Sequence, residues 1–160
     1  MSQDALRPQG AIPDSYYLFG LLNAFANRLQ AIGNQVFEEL SWKQWLMLLG
    51  LTLYESPPGV SELAQAVGSS HQNAKQILLR LEKAGFVQLV KDPQDMRRTL
   101  VRQTDKVQAL DLRYQEGSQR FMRQIYAGIP EEDIAVTLRT LLSLEKNLIA
   151  LQKPGKEEEA

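Results

Sequence analysis

Between Ser15 and about Leu40, the apolar residues Leu18, Leu22, Phe25, Leu29, Ile32 and Val36 recur at alternating spacings of four and three. This is an a/d seam carried through nearly three heptads, and it predicts a long amphipathic helix. Pro13 and Asp14 supply its start signal. A helix of this length has more apolar stripe than a small globule covers, so part of the seam is expected to meet another chain.

The pattern then shortens. Ser41 and Gln44 have capping-box spacing, followed by Trp45, Leu46, Leu48 and Leu49, and the run Ser56, Pro57, Pro58, Gly59 closes that helix. A short helix is predicted over Val60–Val67, with Glu62 in its first turn and Gly68 as its left-handed stop. Ser69 or Ser70 caps the next helix, which runs to about Ala84 before Gly85. Val60 to Ala84 thus has the dimensions of a helix-turn-helix. From Phe86 the period becomes two: Phe86–Lys91 and Arg98–Gln103 read as strands around a turn at Asp92, Pro93, Gln94 and Asp95. A hairpin directly after a helix-turn-helix is a winged helix.

Helical periodicity returns at Thr104 and Asp105 and lasts to about Ala127, with Val107, Leu110, Tyr114, Phe121 and Ile125 as its apolar positions. Gly128 breaks it. Pro130 opens a last helix whose first turn holds Glu131, Glu132 and Asp133, favourable to the helix dipole. Ile134, Leu138, Leu141, Leu144, Leu148 and Leu151 form its stripe. The expected fold is mainly α: a winged helix-turn-helix with a two-stranded β-wing, flanked by long N- and C-terminal dimerisation helices. The expected division is an N-terminal dimerisation helix over 13–40, a DNA-binding domain over 41–103, C-terminal dimerisation helices over 104–152 and a disordered tail over 153–160.

Composition narrows the chemistry. The 160 residues contain no cysteine and one histidine, which excludes a disulfide scaffold, thiolate zinc ligation and a histidine-rich metal site. No nucleotide-binding glycine loop, metalloprotease motif or nucleophile elbow occurs, so no enzyme, no catalytic residue and no cofactor is expected. No long apolar run or secretory h-region appears, and a cytoplasmic protein without membrane contact is expected. The net charge of -1 hides a segregation. Residues 69–103 hold seven cations (Lys75, Arg80, Lys83, Lys91, Arg97, Arg98, Arg102) and three anions (Glu82, Asp92, Asp95), a net of +4 that leaves -5 on the remainder. A phosphate-facing surface needs such local charge.

Within Ser70–Ala84 the apolar stripe is Ala74, Ile77, Leu78 and Leu81, and at about 100° per residue Gln72 and Gln76 point away from it. Asn73 and Lys75 flank them, and Ser70 and His71 form the helix tip. Gln and Asn can read adenine in a bidentate way, and Lys suits guanine or phosphate. In the wing, Arg97 sits at the turn with Arg98 beside it, and Asp95 is placed to orient Arg97 through a charge-assisted hydrogen bond. An ordinary polar helix face and a surface ion pair are the alternatives to these two readings.

At these residues the chain resembles the MarR-type winged-helix transcription regulators, over roughly Tyr16 to Leu151. Asp92, Asp95, Arg97, Val101 and Thr104 fall where that family's wing reads D-x-x-D-x-R-x-x-x-V-x-L-T. Leu81, Glu82, Lys83, Ala84, Gly85, Phe86 and Val87 are similar to its L-E-K-x-G-[FL]-V run, and Ser61, Glu62, Leu63 and Ala64 to its S-E-L-A. Gln103 stands where the family usually has Leu, and Val107 where a Gly is common. The resemblance implies a homodimer that binds pseudo-palindromic double-stranded DNA and regulates transcription, most often as a repressor. It implies that the wing arginine enters the minor groove, held by the adjacent Asp. It also implies a small, often aromatic or anionic effector in a crevice between the dimerisation and DNA-binding parts. Tyr16, Trp42 and Trp45 are the candidates for lining that crevice, with core packing as their alternative. The lack of cysteine removes the thiol-based, peroxide-sensing branch. The competing function is a winged-helix protein–protein interaction module that does not bind DNA.

Overall fold

A computed structural model describes residues 12–152, and the tail expected over 153–160 lies outside the described residues. The elements are α1 (Asp14–Val36), α2 (Trp42–Leu51), α3 (Val60–Ala66), α4 (His71–Lys83), β1 (Val87–Lys91), β2 (Thr99–Gln103), α5 (Asp105–Ile125) and α6 (Glu131–Gln152). The fold is therefore mainly helical with one antiparallel hairpin, in the expected order. The chain divides into two compact units, residues 1–117 and 118–160, with the boundary inside α5. Among the described residues, no helix is long and apolar enough to cross a membrane.

Local chemistry sets most of the boundaries. Ser41 caps α2 through a full capping box: its hydroxyl accepts the Gln44 N–H, and the Gln44 side chain accepts the Ser41 N–H at 2.9 Å. Gly68 (φ +64°) and Gly85 (φ +80°) take the left-handed conformation just past α3 and α4, where other residues would be strained. The expected end of α1 needs correction. The helix stops at Val36, before Leu40, because distant residues hold the next segment extended. Phe37 leaves the helix with φ -110° and ψ 117° and stacks on Trp45 at 5.1 Å, with the Tyr114 ring edge-on at 5.4 Å. The Glu38 N–H donates to the Tyr114 hydroxyl, and Glu39 pairs with Arg113, so α5 clamps the whole α1–α2 link.

The core of the first unit lies where α2, α3 and α4 converge on the base of the hairpin. Met47, Leu63, Leu78, Leu81, Phe86, Val87 and Val101 are its largest fully buried side chains. α2 crosses α1 closely enough that a Cβ on Gly33 would fall 2.1 Å from the Trp42 ring, so only glycine fits there. In the hairpin, Val87 pairs with Gln103 and Lys91 with Thr99. The Gln103 side chain donates to the Leu48 carbonyl at 3.3 Å and ties the wing base to α2. In the second unit, α6 has no buried residue among those whose burial is described: its stripe residues Leu138, Leu141, Leu148 and Leu151 are exposed, while Ile134 and Leu144 are half-buried.

Candidate nucleic-acid interface

α4 owes its orientation to its own pattern. Ala74, Ile77, Leu78 and Leu81 are buried, and that anchors one face and leaves the opposite one to solvent. His71, Gln72, Asn73, Lys75 and Gln76 are all exposed on that outer side. Ser70, the N-cap, accepts the Asn73 N–H at 3.3 Å, which settles the choice between Ser69 and Ser70. Asn73 also donates from its side-chain amide to the Ser69 hydroxyl at 2.8 Å, which fixes its rotamer. The C-terminal end is held from α5: the Lys106 ammonium donates to the Ala84 carbonyl at 2.8 Å and lies 4.4 Å from the centre of the Phe86 ring.

The wing turn is built by two aspartates with different tasks. Asp92 is buried, at 8% exposure, and its Oδ1 accepts the Gln94 N–H at 2.9 Å. Asp95 Oδ1 accepts the backbone N–H of Arg97 at 3.0 Å. The expected hydrogen bond donated by the Arg97 guanidinium to Asp95 is therefore corrected: the short Asp side chain accepts from the nearest backbone donor instead, as in an Asx turn, and shapes the turn. Arg97 is exposed, and among the described residues its guanidinium has no ion pair. Arg98, expected beside it as a second DNA contact, has its guanidinium paired inside the protein. Its Nη2 lies 2.5 Å from Glu62 Oε2, and its Nη1 lies 3.7 Å from Asp92 Oδ2.

These elements enclose a concavity of about 490 Å³ between α3, the first turns of α4 and the wing. His71 and Lys75 line it from α4, Lys91 from β1, and Arg97 and Arg98 from the wing. Glu62 and Asp95 are the acidic residues in its wall. The Gly59 N–H, donating at 2.8 Å, holds the Glu62 carboxyl below the usual carboxylate range, and Arg98 adds to that effect. The concavity thus gathers the cations Lys75, Lys91, Arg97 and Arg98 on one side of the unit, the kind of surface that a phosphate backbone requires.

A second groove, of about 420 Å³, lies between α1, α2 and the start of α4. Gln30, Trp42 and Lys43 face Ser70 and Asn73 across it. Of the three residues expected to line one crevice, only Trp42 is there. Trp45 is stacked between Phe37 and Trp42, at 5.1 and 4.8 Å, within an aromatic cluster. Tyr16 is 73% exposed on the first turn of α1. At 1.5 Å per residue it stands about 21 Å along the helix from Gln30, so it lies far from the groove.

Lys91 and Glu62, not assigned to the site from the sequence, also line the concavity. Lys91 had a signal, since it contributes to the basic segment. Glu62 had none, because its partner Arg98 lies 36 positions away.

No protein-family model matches the chain. Among proteins of known structure it is similar to the transcriptional regulator PA3341, at 28% sequence identity over 82% of this chain and 98% of that one, with a TM-score of 0.68. It is also similar to a MarR/EmrR family transcriptional regulator from Acinetobacter sp. ADP1, at 15% identity over 87% of this chain and 99% of that one, TM-score 0.75. A third similar structure is BpsR of Bordetella bronchiseptica, whose DNA binding is regulated by 6-hydroxynicotinic acid, at 18% identity over 80% and 98% of the two chains, TM-score 0.67. In element order, wing and terminal helices, the chain has the winged-helix fold of the MarR-family transcription regulators.

Proposed function

We propose that the chain is a sequence-specific double-stranded DNA-binding transcription regulator that acts as a homodimer on a pseudo-palindromic operator. The observation that carries this reading is that His71 and Lys75 of α4 share one concavity with the Arg97 wing, while Gln72, Asn73 and Gln76 are exposed on the same two turns of that helix. A helix presenting amide side chains in its first two turns suits the major groove, and a cationic turn beside it suits the minor groove. Arg97 is the minor-groove residue in this reading, and Ser70 contributes by capping the helix that carries the readers.

The dimer is supported by apolar faces that the described residues leave exposed. Leu18, Phe25 and Ile32 on α1 and Leu138, Leu141 and Leu148 on α6 are all exposed. The groove at Trp42 and Lys43 is the proposed effector site. Its aromatic wall and single lysine suit a small planar anion, and it reaches the N-cap of α4 directly.

The test starts from genomic fragments captured by the purified protein. Binding to a recovered operator and to its scrambled version is then measured at several salt concentrations. Preference for the operator and a steep fall of affinity with salt are expected. Gln72→Ala or Gln76→Ala should reduce that preference by about 1–3 kcal/mol while sparing non-specific binding. Affinity for no duplex at low salt would favour the protein–protein interaction module instead.

A further inference from the structure

Glu62 is out of place in a concavity read as a phosphate site. It puts a carboxylate, held ionised, among Lys75, Lys91 and Arg97. Its surroundings give the reason. Glu62 Oε2 accepts the Gly59 N–H at 2.8 Å, which satisfies the N-cap backbone of α3, and the same oxygen accepts Arg98 Nη2 at 2.5 Å. Arg98 belongs to the wing and Glu62 to α3, so this oxygen joins two elements. The joint is made for that side chain: a Cβ on Gly59 would sit 2.8 Å from Arg98 Nε, in the path the arginine follows. The backbone runs together at the same point. Gly59 bridges to Leu100, and the Val101 N–H donates to the Pro58 carbonyl at 2.9 Å. α3 is in turn tied to the start of α4, because the Ser69 N–H donates to the Ala64 carbonyl at 2.8 Å. A continuous path therefore runs from the wing through Arg98, Glu62 and α3 to the helix that carries Gln72 and Gln76.

Resting on the DNA-binding reading above, we propose that Arg98 is a positioning residue: its clamp onto Glu62, across Gly59, sets where the wing stands relative to α4. Arg97 then reaches the duplex while α4 is in the groove. The affinity given up by keeping a carboxylate in a cationic wall is returned as a wing held ready for binding. In this assignment Arg98 neutralises no DNA phosphate.

Three substitutions separate positioning from contact. Glu62→Gln keeps an acceptor for the Gly59 N–H, so α3 stays capped, and it removes a negative charge from the concavity. Simple electrostatics has that variant bind DNA more tightly; a lost clamp has it bind about three- to fivefold more weakly, the size of a half-exposed ion pair. Gly59→Ala changes no charge but pushes Arg98 aside, and should weaken binding in the same way. Arg98→Ala should weaken binding without changing the slope of log K against log[salt], and its loss should not add to that of Glu62→Gln. In the free protein, amide exchange at Leu100 and Val101 should speed up in all three.

Tighter binding by Glu62→Gln, or a salt slope reduced by about one per half-site in Arg98→Ala, would overturn the proposal and make Arg98 a phosphate contact. Should the wild-type chain bind no duplex, the functional reading itself fails. The exchange measurement still decides the clamp, and unchanged exchange in all three variants would overturn it.

Discussion

α4 and α6 are written in the same pattern, an aliphatic stripe at helical spacing, yet the chain treats them in opposite ways. The α4 stripe of Ala74, Ile77, Leu78 and Leu81 is 0–8% exposed. On α6, Leu138 is 57% and Leu151 80% exposed. α1 lies between the two extremes. Leu22, Leu29 and Val36 are half-buried, whereas Leu18, Phe25 and Ile32, the alternate positions of the same seam, face outward. The stripe states that a helix needs a partner; it does not state whether the partner is in the same chain. For α4 the partners are α2, α3 and the hairpin. For α6 and half of α1 a second copy is the proposed partner, since contiguous apolar patches beyond a few hundred Å² are unusual on a monomer.

The contrast breaks most readily in the core. Leu78→Ala or Leu81→Ala leaves a cavity where the side chain is fully buried, and should cost about 2–5 kcal/mol in chemical denaturation. A loss below about 1 kcal/mol would mean that α4 is loosely held. The same kind of change on α6 should act on assembly. Leu138→Glu or Leu148→Glu should keep the helical circular dichroism and weaken the dimer at least about tenfold in sedimentation equilibrium, the effect of roughly 1.4 kcal/mol at the interface. A wild-type chain already monomeric at micromolar concentration would mean that α6 does not form a dimer interface.

Within the first unit, the wing sharpens the comparison between groups that hold structure and groups left free. Arg97→Ala should leave the melting temperature unchanged, weaken operator binding, and lower the salt slope by about one per half-site. Asp95→Ala should weaken binding less, by loosening the turn that Asp95 closes on the Arg97 N–H. Equal effects with an unchanged slope would make Arg97 scaffolding. The smallest effect is that of pH. Because Gly59 and Arg98 lower the Glu62 pKa in the fold, ionised Glu62 adds stability above the unfolded carboxylate value. That contribution disappears as pH falls through the lower folded value. The stability gap between wild type and Glu62→Gln should thus close on acidification below the ordinary value of 4.5. A gap constant through that range would contradict the assignment.

The elements and the exposed polar face of α4 were legible because each rests on neighbours in sequence: caps at Ser41 and Ser70, stops at Gly68 and Gly85, a buried stripe of four residues. The division of labour in the wing was not. Asp95 sits two residues from Arg97 and suggests a side-chain pair, but the backbone N–H of Arg97 is the nearer donor. Arg98 sits beside Arg97 in sequence, yet it pairs with a glutamate 36 positions away. The early end of α1 and the separation of Tyr16 from Trp42 have the same origin. The first depends on Arg113 and Tyr114, and the second on where a second helix crosses α1.

Hydroxyl-radical footprinting of the wild-type protein on a captured operator shows whether two copies of α4 sit on the duplex with two-fold symmetry. Two symmetric protected patches are expected, with centres about 10–10.5 base pairs apart, from two α4 helices roughly 34 Å apart in successive major grooves. A single patch without its two-fold mate, or uniform backbone protection along the duplex, would contradict the account of a dimer that reads its site through α4.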